Sequence, residues 1–245
     1  MKKMILLCFC LLLTLTGGCS MNNKEKNNTK DNNAETVKPK DMNRKDLPQV
    51  PAFQDEKTRE YMVSTKEEEP GYYLLESKLK GFRMLFPEDG QYAPDLSSTG
   101  ENEETIVFDS FNKKTNIQYD VQLDYHQDKS FANDKDIMID IVSGRNSYIG
   151  KYEKRKQSDK IVYSAQKKSV FDDAEEKKYF SYRFFGYVKS TKEDYLGIEY
   201  SFRFACYSDE EACSLKKDEA RKKVEKIIDS ITFLIVKKGD IESGE

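Results

Sequence analysis

A chain of 245 residues has room for one domain of ordinary size plus tails. Its 41 Lys and Arg against 44 Asp and Glu leave a formal charge of −3, with the two signs interspersed, which excludes a nucleic-acid reader, since that requires a basic patch or stripe. Apolar residues are 37% and charged residues 35% of the chain, so the core is modest and the surface densely charged.

At the N-terminus, Lys2 and Lys3 precede a nearly unbroken apolar run over residues 4–15, closed by Leu15-Thr16-Gly17-Gly18 before Cys19. A dozen apolar residues in a helix fall short of the roughly 20 that cross a bilayer. A basic flank, an apolar stretch and small residues, in that order, make a secretory leader, so residues 1–18 are read as a cleaved signal peptide. Small residues directly before a cysteine resemble the lipobox of bacterial lipoproteins, with Thr16 standing where leucine is commoner. The resemblance implies that Cys19 receives a diacylglyceryl group and begins the mature chain. One fatty chain gives only marginal attachment, at about 0.8 kcal/mol per buried methylene; two chains need no polybasic helper. The mature chain has none, carrying about −5 once Lys2 and Lys3 are removed. The alternative is plain secretion with Cys19 free.

Residues 20–46 are rich in Asn, Lys, Asp and Glu and almost empty of large apolar side chains. Such a composition cannot offset the entropy of ordering. The expectation is a lipidated cysteine and disordered tether over 19–51, stiffened at its end by Leu47-Pro48-Gln49-Val50-Pro51 and spanning on the order of 30 Å as a coil. Residues 52–70 are read as a linker with a short helix over 53–63, residues 71–236 as a single domain, and 237–245 as a disordered tail.

Within the domain the main signal is alternation with period two. Ile117, Tyr119, Val121, Leu123 and Tyr125 share one strand face, and Gln118, Asp120, Gln122, Asp124 and His126 the other. Ile198, Tyr200, Phe202, Phe204 and Cys206 alternate in the same way. Residues 106–111 and the turn-like Asn112-Lys113-Lys114-Thr115-Asn116 predict a hairpin with the strand that follows. Residues 148–155 and 161–170 predict a second. Residues 179–188 are aromatic on both faces and are expected to be covered on both sides or to form an interface. A helix is predicted over 134–143, stopped by Gly144. A stronger one begins at Ser214 as N-cap, with Ala220, Val224, Ile227, Ile228 and Ile231 in one apolar stripe and Lys216, Lys217, Arg221, Lys222, Lys223 and Lys226 on a solvated face. Residues 231–236 read as a closing strand. The fold class is α+β, mainly antiparallel β-sheet with a long C-terminal helix and one or two further helices.

Gly81-Phe82-Arg83-Met84-Leu85-Phe86-Pro87, the antiparallel strands, and Lys226-Ile227-Ile228-Asp229-Ser230 running into Ile231-Thr232-Phe233 resemble the PsbP-like α/β/α sandwich over residues 72–236. That resemblance implies a binding or assembly factor, by fold analogy alone. Leader, Asn-rich tether and domain together resemble a Bacillus-type envelope lipoprotein.

Catalytic patterns are sparse. His126 is the only histidine, which excludes HExxH and other two-histidine metal sites; at a strand end on the polar face it is read as a solvated surface residue. No GxGxxG or GxxxxGK[ST] cradle occurs, so no nucleotide or other cofactor is expected. The acidic runs 101–104 and 172–176 lack EF-hand spacing and read as solvated loops, the second with loose calcium binding as its alternative; no metal site is assigned. Cys8 and Cys10 leave with the leader, so the mature domain keeps Cys206 and Cys213, and outside the membrane a disulfide is their default. The candidate binding face is Asp120, Asp124, His126 and Arg203. The function expected is a noncatalytic binding or assembly module on the extracytoplasmic side of the membrane. Its partners are the bilayer, through acylated Cys19, and an envelope protein or matrix component. A hydrolase of wall or surface polymer acting through carboxylates is the alternative. Asp120 and Asp124, four residues apart on one strand, stand about 13 Å apart, wider than the roughly 5–9 Å of glycosidase pairs.

Overall fold

The computed structural model describes residues 37–172, 178–206 and 213–234. The expected leader, Cys19, most of the expected tether, most of the acidic run 172–176, residues 207–212 and the expected tail 237–245 lie outside the described residues. After 3-10 turns at Pro39–Asp41 and Arg44–Asp46 come two single-turn helices, α1 (Pro51–Gln54) and α2 (Glu56–Arg59). Asp55 ends the first and starts the second: its N–H donates to the Pro51 carbonyl, and its carboxylate accepts from the Thr58 N–H at 2.7 Å and hydroxyl at 2.6 Å. Then follow β1 (Met62–Glu69), β2 (Tyr72–Glu76), β3 (Phe82–Pro87), β4 (Gly90–Tyr92), β5 (Ser98–Thr99), β6 (Glu103–Asn112) and β7 (Ile117–His126). The second half runs α3 (Lys135–Asn146), β8 (Glu153–Lys156), β9 (Lys160–Asp172), β10 (Lys178–Ser190), β11 (Gly197–Cys206), α4 (Lys217–Ser230) and β12 (Thr232–Phe233).

The strands form two sheets, and their pairings among the described residues are antiparallel. The small sheet has the order β1-β2-β3-β12; the large one runs β4-β6-β7-β11-β10-β9-β8, with β5 on the end of β6. Alternation sends Val121, Leu123, Ile198, Phe202, Phe184 and Val188 to one face of the large sheet, where they share a core with Phe82, Met84 and Phe86 of the small sheet and Val224, Ile227 and Ile228 of α4. On the opposite face, Tyr187 and Tyr163 pack under Met138 of α3, and Phe185 and Ala165 under Val142. β10 is thus covered on both sides, which is why its aromatics point both ways. Both expected hairpins are present as β6–β7 and β8–β9.

Several expectations are corrected. Residues 39–46 are turns with Pro39 buried, so disorder does not extend to residue 46. The segment 52–70 is no linker: Phe53, Tyr61 and Met62 sit in the main core, and 62–69 is a strand. The single helix over 53–63 is two turns divided by Asp55. Gly144 does not stop α3, which runs on to Asn146 and ends at Ser147 in the left-handed region (φ 47°). Ser214 is not the N-cap of α4; Lys216 occupies that place without a side-chain cap bond. The strand expected from residue 148 begins at Glu153, because Tyr148 and Tyr152 instead turn onto Phe185. The lysine face of α4 is partly docked: Lys223 lies 4.2 Å from the Tyr119 ring centre, and Lys226 reaches Glu69 at 2.8 Å.

The C-terminal end of α4 is clamped by the β8–β9 hairpin. Arg155 makes two hydrogen bonds of 2.8 Å to the Asp229 carboxylate. Lys160, buried at 3% exposure, donates to the Asp229 and Ile231 carbonyls, answering acceptors that a helix end leaves open; burial pushes its ammonium below the ordinary lysine range. At the other end, Cys206 closes β11 and Cys213 precedes α4, with Cα atoms 5.9 Å apart and sulfurs at disulfide distance. Closing a loop of about eight residues is worth about 2.5 kcal/mol in the chain-entropy model. Reduction is therefore expected to lower the melting midpoint by roughly 5–10 °C without abolishing the fold. Two titratable thiols in the denatured, oxidised protein, or an unchanged melt under reductant, would refute the bond.

Candidate functional site

The antiparallel registers convert the polar face of β7 into rows crossing the large sheet. One row reads Thr105, Asp124, Glu199, Tyr187 and Tyr163. Like charges directly opposite each other on neighbouring strands repel, so Asp124 and Glu199 require a cation. α3 supplies it: Arg145 Nη1 donates to Asp124 Oδ2 at 3.0 Å and to Glu199 Oε2 at 2.8 Å. Asp124 also accepts from the Thr105 hydroxyl at 2.7 Å and from Gln122 Nε2 at 2.9 Å. His126 Nε2 lies 2.9 Å from Glu199 Oε1, and its ring meets Phe131 edge-on at 5.3 Å. His126 is only 8% exposed, which corrects its reading as a solvated surface residue, and Asp124 is 9% exposed. The cause is α3 and the turn Ser130–Asn133, which fold back over the end of the face that alternation had assigned to water. His126 Nδ1 is buried with no partner among the described residues.

Four residues along each strand, beyond an intervening row that holds Gln122 and Ser201, a further row reads Asp109, Asp120, Arg203, Arg183 and Lys167. Arg203 holds Asp120 Oδ2 through Nε at 2.8 Å and Nη2 at 2.5 Å. Asp109 is pushed above the usual carboxylate range, first by burial and then by the charge of Asp120. Lys167 donates to the Asn146 carbonyl at the end of α3. Arg183 is held below the usual arginine range by burial and then by Arg203; among the described residues no carboxylate stands within ion-pairing distance of it. It opens onto a cavity of about 100 Å³ also lined by Gln122, Asp124, Arg145, Asn146, Glu199 and Ser201.

The four residues expected to form one binding face thus divide. Asp124 and His126 enter a closed network, and Asp120 and Arg203 an open pair nearby. Arg145, Glu199 and Arg183 were missed, although a glutamate and an arginine inside otherwise aromatic strands were a usable signal. Glu104, read as part of a solvated acidic loop, is buried at 1% exposure and accepts from the Lys78 and Leu79 N–H groups at 3.1 Å each, pinning the turn between β2 and β3; burial pushes its carboxyl up. A separate cleft of about 220 Å³ lies where β8 ends beside β9, floored by Phe184, Tyr200, Val224 and Ile228. At its rim Gln166 Oε1 is buried and without a partner among the described residues. Among the described residues no cluster of three or more His, Cys, Asp or Glu is arranged for a metal ion, and no helix is long and apolar enough to cross a membrane.

Residues 48–232 match the family described as "Putative lipoprotein YvcA". A relative of that description from Bacillus subtilis (strain 168) is 62% identical over 239 residues, covering 97% of this chain and 99% of the relative. Among solved structures, the Saccharomyces cerevisiae Ran-binding protein Mog1p aligns with a TM-score of 0.41 at 12% identity, over 66% of this chain and 94% of its own. A Mog1 point mutant aligns with a TM-score of 0.37 at 12% identity, over 66% and 95%.

Proposed function

The chain belongs to the family described as "Putative lipoprotein YvcA", and on that premise we propose that it is a lipoprotein held on the extracytoplasmic face of the cell membrane by an acylated Cys19. Its domain is a noncatalytic module that binds an envelope protein or matrix component. The leader and the small residues before Cys19 support the anchor. One observation supports binding over turnover: Asp120 and Asp124, the carboxylates first considered for hydrolysis, each already accept from an arginine, at 2.8 Å from Arg203 and 3.0 Å from Arg145. A carboxylate working as acid, base or nucleophile must instead be within reach of substrate. The anchor is tested with Cys19→Ala, which is expected to carry no labelled palmitate and to be released or held only by an uncleaved leader. Label appearing in that variant would overturn the assignment.

A second reading has one observation in its favour. Asp109 and Asp120 face each other across β6 and β7, and burial holds Asp109 up while Asp120 is charge-paired, the asymmetry that a hydrolytic acid–base pair uses. Release of sugar from wall or matrix polymer by the purified protein, lost in Asp109→Asn, would favour this hydrolase over the binding module.

A further inference from the structure

We propose that the cavity in front of Arg183 is a binding site for a phosphate group, gripped by the Arg183 guanidinium, flanked by Arg203 and Lys167, with the Ser201 hydroxyl as a neutral donor. The inference rests on reading the outer sheet face as a binding surface and adds the class of ligand. Three cationic residues stand on adjacent strands in one row, Arg203 opposite Arg183 and Arg183 opposite Lys167. Like charges so placed cost stability, and the two outer members are relieved within the fold, Arg203 by Asp120 and Lys167 by the Asn146 carbonyl. Arg183 in the middle has no carboxylate within ion-pairing distance among the described residues, and Asp120, already bound to Arg203, offsets its charge only from farther off. Arg183 is half-buried, so water compensates its charge only in part, and an anion is the natural completion of a desolvated, unpaired cation.

The cavity favours an oxyanion in its remaining chemistry as well. Two carboxylates line the cavity, Asp124 and Glu199, and each oxygen of both is engaged within the fold, one of each by Arg145 and the others by Thr105 and His126. The carbonyl end of α3, which would repel an anion, is covered by Lys167. Ser201 has no bond to its hydroxyl among the described residues and lines the same space. The cavity, about 100 Å³ and open to solvent on one side, has room for a tetrahedral group. A guanidinium fork with a neighbouring hydroxyl suits an acceptor with several oxygens. Two sources carry this chemistry to an envelope protein: the headgroup of an anionic phospholipid and a phosphodiester polymer.

The test compares the mature chain with Arg183→Gln and Arg183→Lys by calorimetric titration with inorganic phosphate, and by melting in phosphate and in chloride at equal ionic strength. Wild type is expected to bind phosphate and melt higher in it than in chloride, Arg183→Gln to bind at least tenfold more weakly, and Arg183→Lys to fall between. In chloride, Arg183→Gln should melt no lower than wild type, because it removes a like-charge contact; this also shows that the variant folds. Arg183-dependent retention on phosphatidylglycerol vesicles supports the headgroup source, and Arg183-dependent retention by a glycerol-phosphate polymer the other. Equal effects of chloride and phosphate, or undiminished phosphate binding by Arg183→Gln, overturn the site. Capture of an envelope partner by both proteins with phosphate binding by neither overturns the site alone and leaves the binding module standing.

Discussion

Gly186→Ala is expected to lower the melting midpoint by about 10 °C or to prevent cooperative folding, an effect of about 3 kcal/mol or more. Gly186 lies in the middle of β10, between β9 and β11. A Cβ there would overlap the Tyr163 carbonyl oxygen and come within 2.7 Å of the Tyr200 hydroxyl. Tyr200 is a core side chain, while the Tyr163 oxygen belongs to the backbone of β9 and can yield only if the long β9–β10 pairing yields with it. Gly144→Ala is the control. Its site has nothing within 4 Å, and alanine inside a helix is favoured over glycine by roughly 0.5–1 kcal/mol, so that variant should melt unchanged or slightly higher. Equal melts for the two variants would show that Gly186 is not constrained by close approach.

Arg145→Ala is expected to cost about 2–3 kcal/mol by denaturant unfolding at neutral pH. Removing one partner of a fully buried ion pair costs about 3–5 kcal/mol, whereas an exposed pair contributes at most about 1 kcal/mol. This site lies between: the Arg145 side chain is 54% exposed, but the side chains of Asp124 and Glu199 are 12% and 5% exposed. Without the guanidinium two carboxylates face each other across β7 and β11 under a helix. Glu199→Gln in the Arg145→Ala background should recover at least half of the loss, because the like-charge contact disappears. A deficit untouched by Glu199→Gln would mean that Arg145 acts by packing its stem on α3's surroundings.

Local pattern carried the sequence reading a long way. Alternation from Ile117 to His126 and from Ile198 to Cys206 named the core-facing residues of β7 and β11, because a pleated strand has only two faces and one was uniformly apolar. The turn residues Asn112 to Asn116 marked a hairpin through their own backbone preferences, and the aromatics on both sides of β10 announced a strand buried twice. The mistakes cluster where an element's neighbour decides its state. Residues 39–69 are polar and Pro-interrupted and were read as tether and linker, yet Pro39, Phe53 and Tyr61 are buried; a few anchors at the right places order a segment whose average composition argues against it.

What the sequence determined by itself were properties written in contiguous residues: the strand faces, the apolar stripe of α4 and the acidic charge balance. Only the tertiary structure decided which polar residues are paired, buried or left over. Arg145 is distant in sequence from both Asp124 and Glu199, and Lys160 from the helix end it caps. Alternation states that a face is polar but not whether a helix will cover it, so His126 and Asp124 became interior while Asp120 and Arg203 stayed outside. The unpaired state of Arg183 among the described residues is of the same kind. It follows from the registers of three consecutive strands, which place Arg203 on one side of it and Lys167 on the other, and alternation alone does not fix which residues of neighbouring strands stand opposite each other.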